Sequence, residues 1–127
     1  MFELNLPPLD ASVSVARHAV AGMLGGQCLE FREMAVFLIS ELVTNAVTHA
    51  KTPLRLGVVD LGDAMRFEVF DESPSLPLPR EAGPEDEHGR GLFLVSSLSR
   101  SWGCEARLQG KLVWFELGKP PLGSEET

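Results

Sequence analysis

Residues 31–50, FREMAVFLISELVTNAVTHA, limit the possible folds more than any other part of this chain. Leu38, Ile39, Leu42, Val43, Ala46, Val47 and Ala50 recur at helical spacing and form a wide apolar arc, the mark of a helix that buries one face. Glu41, Asn45 and His49 follow one another at steps of four. Each such step turns a side chain by only about 40°, so the three form one narrow row along the edge of that arc. A carboxylate and an amide held at the border of a core can share a proton, a metal or a water. A row of polar groups where a buried stripe meets solvent gives the same pattern, so the row needs other signals beside it.

The rest of the chain supplies them. Residues 2–6 alternate apolar and polar and read as a strand, ended by Pro7 and Pro8. Residues 9–24 read as a first helix, with Asp10 or Ser12 as its cap and Gly25-Gly26 as its stop. Residues 52–62 and 64–73 read as two strands of a hairpin turning at Gly62-Asp63. Residues 73–87 are rich in proline and acid, have no period and read as a loop, of a length that usually marks a lid or binding loop. HGRG follows, then a short helix, then a last hairpin around Gln109-Gly110. Trp102, Trp114 and Phe115 fit strand positions that pack the sheet, and Phe93 and Leu94 are expected to pack the last helix on it. Arg17 falls on the polar side of the first helix.

The order β-α-α-β-β-loop-α-β-β implies an α+β fold, a two-layer sandwich with helices on one face of a mixed, mostly antiparallel sheet. No repeat and no second domain is visible. The reading is one domain over residues 1–118 and a flexible C-terminal tail over 119–127. A length of 127 residues suits one core.

Net charge is −7 and no stretch concentrates Lys and Arg, which argues against a nucleic-acid surface. Cys28 and Cys104 each stand alone, with no zinc spacing among the three histidines. There is no signal-peptide pattern and no apolar run of ~18 residues, so the chain reads as cytoplasmic, with no membrane partner.

Three features then stand in a telling order. Glu41 and Asn45 share a helix face, Asp71 ends a strand, and Gly89 and Gly91 sit where the long loop meets a helix start. Glycines before a helix let backbone N–H groups approach phosphate oxygens. An amide oxygen suits magnesium, and a carboxylate one turn earlier can orient or deprotonate a hydroxyl. A buried Asp accepting from an exocyclic amine would read adenine.

On these residues the chain resembles a known family. ELVTNAVTHA is similar to the N box of the GHKL ATPases, the superfamily of gyrase, Hsp90, histidine kinases and MutL; VFDESP resembles its G1 box and HGRGLFLV its G2 box. From about residue 9 to 117 the chain is most similar to the bacterial anti-sigma-factor serine kinases of the RsbW and SpoIIAB type. The resemblance implies the ATP-binding Bergerat fold, with ATP and Mg2+ as ligands. It assigns Glu41 as general base, Asn45 as magnesium ligand and Asp71 as the adenine reader. Ser73 would lie near the base, and His88, Gly89, Arg90, Gly91 and Leu92 against the phosphates, with residues 73–88 as the ATP lid. The implied partners are a STAS-type antagonist, which the kinase would phosphorylate, a sigma factor, and a second copy of the chain in a homodimer. Two alternatives remain open on the residues: an ATP-binding regulator that only sequesters a partner, and a detached histidine-kinase-type ATPase domain. The last is disfavoured because His18, His49 and His88 sit on no phosphoacceptor hairpin. One departure bears on all of these. The G1 box usually runs Asp-x-Gly-x-Gly, and here Glu72, Ser73, Pro74 and Ser75 follow Asp71.

Overall fold

The computed structural model describes residues 1–74 and 90–120, the side chains of Arg90 and Gly91 excepted. The elements run β1 (Phe2–Leu6), α1 (Ala11–Met23), α2 (Leu29–Asn45), a π turn (Ala46–Ala50), β2 (Leu54–Asp60), β3 (Ala64–Asp71), α3 (Arg90–Leu98), β4 (Ser101–Arg107) and β5 (Gly110–Gly118).

The five strands lie in the order β1-β2-β3-β5-β4. The two-layer α+β architecture is as expected. All four pairings are antiparallel, however, so the sheet is not mixed. β3 and β4 run parallel across the α3 crossover, but β5 turns back by a hairpin and fills the place between them. No two parallel strands of the described sheet are therefore neighbours.

One face of the sheet carries the core. Leu54, Leu56 and Val58 of β2, Met65, Phe67 and Val69 of β3, and Val113, Phe115 and Leu117 of β5 join one cluster with the helices. Phe67 and Phe115, opposite in register and fully buried, stack with ring centres 5.0 Å apart. Burying each is worth about 1.5–3 kcal/mol. From α2 come Phe31, Ala35, Leu38, Ile39, Leu42 and Val43, and the stripe continues through Ala46 and Val47 of the π turn. α1 adds Ala16 and Val20.

The other face is partly polar. Arg66 lies 2.7 Å from Glu68 and 3.6 Å from Glu116, with its guanidinium 4.1 Å above the Trp114 ring. Gly103 faces the same ring, and an added Cβ there would stand 2.8 Å from it, so β4 approaches Trp114 only because position 103 has no side chain.

Several local expectations shift. Asp10 occupies the cap position of α1 without a side-chain cap bond. Ser12 is buried instead and its hydroxyl donates to the Pro7 carbonyl at 2.7 Å, tying the helix start to the end of β1. The 31–50 helix starts earlier, at Leu29, and its last turn widens to a π turn closed by Lys51 at φ +58°. Such turns often mark functional sites. α3 buries Leu92 and Val95, while Phe93 and Leu94 are only half-buried. The two cysteines are half-buried and form no disulfide. Among the described residues no helix is long and apolar enough to cross a membrane.

Candidate nucleotide-binding site

Three segments carry the expected site residues. The first is the end of α2. Glu41 and Asn45 are half-buried there, flanked by the buried pairs Leu42-Val43 and Ala46-Val47. Packing on one flank holds the two side chains in place, and exposure on the other leaves them reachable. His49 lies exposed on the π turn.

The second segment is the end of β3. Asp71 is 3 % exposed, opposite Leu54 at the start of β2 and Lys111 near the start of β5. Lys111 Nζ lies 2.9 Å from Asp71 Oδ1, and the backbone N–H of Ser73 donates to the same oxygen at 2.9 Å. A buried carboxylate needs such partners, because an unpaired one would be strongly destabilising. The next residue ties this end to the first segment: the Glu72 N–H donates at 2.9 Å to the hydroxyl of Thr52, two residues beyond the π turn. The loop that leaves the N-box helix and the residue after the strand-end carboxylate are thus joined by one hydrogen bond.

The third segment is α3. It is described from Arg90 to Leu98, with Gly91 inside the helix. In any helix the backbone N–H groups of the first turn have no partner within the helix and suit an anion. α3 packs against α2. Leu92 is 1 % exposed and belongs to the core, so only its backbone is left for a ligand. Gly89 and residues 75–88 of the expected lid, His88 among them, lie outside the described residues, as do the side chains of Arg90 and Gly91.

Lys111 is the residue that a local reading of the sequence passes over, and Gly110 reads there only as a hairpin turn. A Cβ on Gly110 would overlap the Asp71 carbonyl oxygen, so the glycine is what lets β5 start against the end of β3. The only signal for them is the Gly-Lys dipeptide at a strand start, which has no meaning until the register is known. Nearby Cys104 is half-buried; burial pushes its thiol up from the usual range while the Lys111 ammonium pulls weakly the other way.

A family model described as a histidine kinase-like ATPase domain matches residues 6–117. The chain belongs to this family. It is also similar to an uncharacterized protein of Streptomyces coelicolor, 38% identical over 96 residues that cover 70% of this chain and 90% of that protein. As a histidine kinase-like ATPase domain, the chain is an ATP-binding protein of the GHKL superfamily, and its nucleotide chemistry is that of ATP hydrolysis or phosphoryl transfer in the broad sense.

Magnesium is the usual companion of ATP in such domains. The described residues hold no cluster of three or more His, Cys, Asp or Glu side chains. One amide oxygen at Asn45, with Glu41 a turn away, is the sparse protein contribution that a magnesium ion completes with water and phosphate oxygens, so the donor set fits.

Proposed function

We propose that this histidine kinase-like ATPase domain is a protein serine/threonine kinase of the anti-sigma-factor type, which phosphorylates a STAS-type antagonist and sequesters a sigma factor. One observation carries the reading. Thr52, two residues beyond the π turn that follows α2, accepts from the N–H of the residue after Asp71, and α3 packs on α2, which supports a shared site for the acid, the amide and the strand-end carboxylate.

In this mechanism Asp71 accepts from the 6-amino group of adenine. The first-turn N–H groups of α3 meet the phosphate oxygens. Asn45 would hold magnesium, which supplies positive charge to the phosphates. Glu41 accepts the proton of the substrate hydroxyl as the new oxygen–phosphorus bond forms and the bond to the ADP oxygen breaks. Most of the catalysis lies in positioning and charge neutralisation.

A groove of about 620 Å³ between α1 and α2 supports the partner assignment. Arg17, Arg32, Glu33 and exposed Phe37 line it, leaving a net positive charge. Neither arginine has an ion-pair partner among the described residues. An acidic segment with an apolar anchor suits that surface. The homodimer belongs to the same proposal, and sedimentation of the purified chain tests it.

The altered G1 box favours a second reading, a regulator that binds ATP and acts by sequestration alone. Ser73 stands near the usual site of a glycine, and its N–H is already engaged by Asp71. Glu41→Ala separates the two. Under the kinase reading, transfer of labelled phosphate from ATP to a STAS-type protein is lost, while ATP affinity stays within about twofold. A wild-type chain that binds Mg-ATP yet transfers nothing to any such protein leaves the sequestration reading. Binding itself shows as thermal stabilisation, about 2.7 kcal/mol at a hundredfold excess of ligand over Kd.

A further inference from the structure

We propose that Lys111 is a positioning residue that sets base selectivity, by occupying one oxygen of Asp71 and leaving only the other for the nucleotide. The inference rests on the reading of Asp71 as the base contact. It adds the residue that decides which purine that contact accepts.

The geometry is specific. A carboxylate has two oxygens, each able to accept about two hydrogen bonds. Lys111 Nζ and the Ser73 N–H both fall on Oδ1, each at 2.9 Å, and so fill it. Oδ2 receives neither donor. The two side chains are almost wholly buried, Asp71 4% and Lys111 10% exposed, so water does not compete for the pair. The backbone reinforces the placement. Asp71 and Lys111 are register partners, and the glycine before Lys111 presses on the Asp71 carbonyl.

The two purines ask different things of a carboxylate. Adenine offers its 6-amino group, a donor that one oxygen satisfies. Guanine offers N1–H and the 2-amino group side by side, a pair that needs both carboxylate oxygens, and it sets a 6-oxo acceptor where adenine has its amine. With Oδ1 filled, the two-oxygen grip on guanine is closed and the one-oxygen contact to adenine stays open. Specificity of this kind comes from blocking the competitor as much as from holding the substrate.

A buried ion pair that serves only the fold would not discriminate between bases. Buried pairs are often no more stabilising than an apolar replacement, so stability alone gives weak reason for this one. Its place at the strand end, where β2, β3 and β5 meet beside the N-box helix, suits the positioning role.

The test is a titration of the full chain with Mg-ATP and Mg-GTP, comparing the wild type with Lys111→Met, Lys111→Arg and Ser73→Pro. The wild type is expected to favour ATP. Lys111→Met opens Oδ1 and should lower the ATP-to-GTP affinity ratio by about tenfold, with GTP binding gaining in absolute terms. Lys111→Arg keeps a cation on Oδ1 and should hold the ratio near the wild-type value. Ser73→Pro deletes the other donor to Oδ1 and keeps the ion pair, so it should move the ratio the same way as Lys111→Met. It decides the matter should Lys111→Met fail to fold. Folded Lys111→Met and Ser73→Pro variants with an unchanged ratio overturn the inference, as does a wild type that binds ATP and GTP alike. A wild type that binds neither nucleotide overturns the reading of the site itself, and the first titration shows it.

Discussion

The β2–β3 hairpin has an acid–lysine pair at each end, and the two pairs differ in everything except length. At one end Asp71 and Lys111 lie 2.9 Å apart with side chains 4% and 10% exposed. At the other, Asp60 and Lys119 lie 2.8 Å apart with side chains 61% and 19% exposed. Asp63 shares that second end and pairs with Arg100 at 3.2 Å. Distance does not separate a structural or functional pair from a decorative one; the surrounding medium does. Water and salt screen the exposed pair and hold its net contribution near zero. The buried pair has no such outlet, so each partner depends on the other.

The sharpest way to break this contrast is to remove one buried partner. Asp71→Ala leaves Lys111 buried without a counter-charge and should cost about 3–5 kcal/mol of stability in urea unfolding. It should also abolish adenine-nucleotide binding. A loss under about 1 kcal/mol would mean that water reaches the pair.

Gly110→Ala probes the same end through the backbone. Its Cβ overlaps the Asp71 carbonyl, and the β3–β5 register must yield. A cost of about 1–3 kcal/mol is expected, with weaker ATP binding. An alanine tolerated without either effect would show that the approach of β5 to Asp71 is not tight.

Arg66 stands between the extremes. It is 23% exposed, bonded to Glu68 and stacked on Trp114. Arg66→Met should cost about 1 kcal/mol and change the tryptophan emission, without touching nucleotide affinity.

Lys119→Met is expected to have the smallest effect. The hydrogen bond from Lys119, then that from the Gly62 N–H, lowers the Asp60 carboxyl from its ordinary value. A lowered carboxyl contributes stability above the ordinary carboxylate range and loses it as pH falls below that range. The variant should therefore differ from the wild type above about pH 4, converge with it in stronger acid, and differ less still in 1 M salt. A large, salt-independent loss would place the pair in the same class as Asp71–Lys111.

The contrast also shows what was legible along the chain. The alternation of Phe67 and Val69 gave β3, and the spacing of Leu38, Ile39, Leu42 and Val43 gave the buried face of α2. The N, G1 and G2 boxes stood out because each is a short run of neighbours. Asp71 was visible as a strand-end acid, but its partner was not. Lys111 lies 40 residues away and looks like any lysine in a polar strand position. The π turn was hidden as well, because Ala46-Val47-Thr48 continues the helical period while the chain turns toward Thr52 and β2. Ser12 looked like a cap and became a buried tie to Pro7.

Local spacing alone determined which segments are helix or strand, which faces are apolar and where the acid, amide and glycines fall. Those properties depend on residues within a turn or a pleat of one another. Only the tertiary structure decided that β5 slots between β3 and β4, that the glycine at its start presses on the end of β3, and that a lysine reaches a buried carboxylate there. Strand order and register come from packing all the apolar faces at once, and no single segment carries that information.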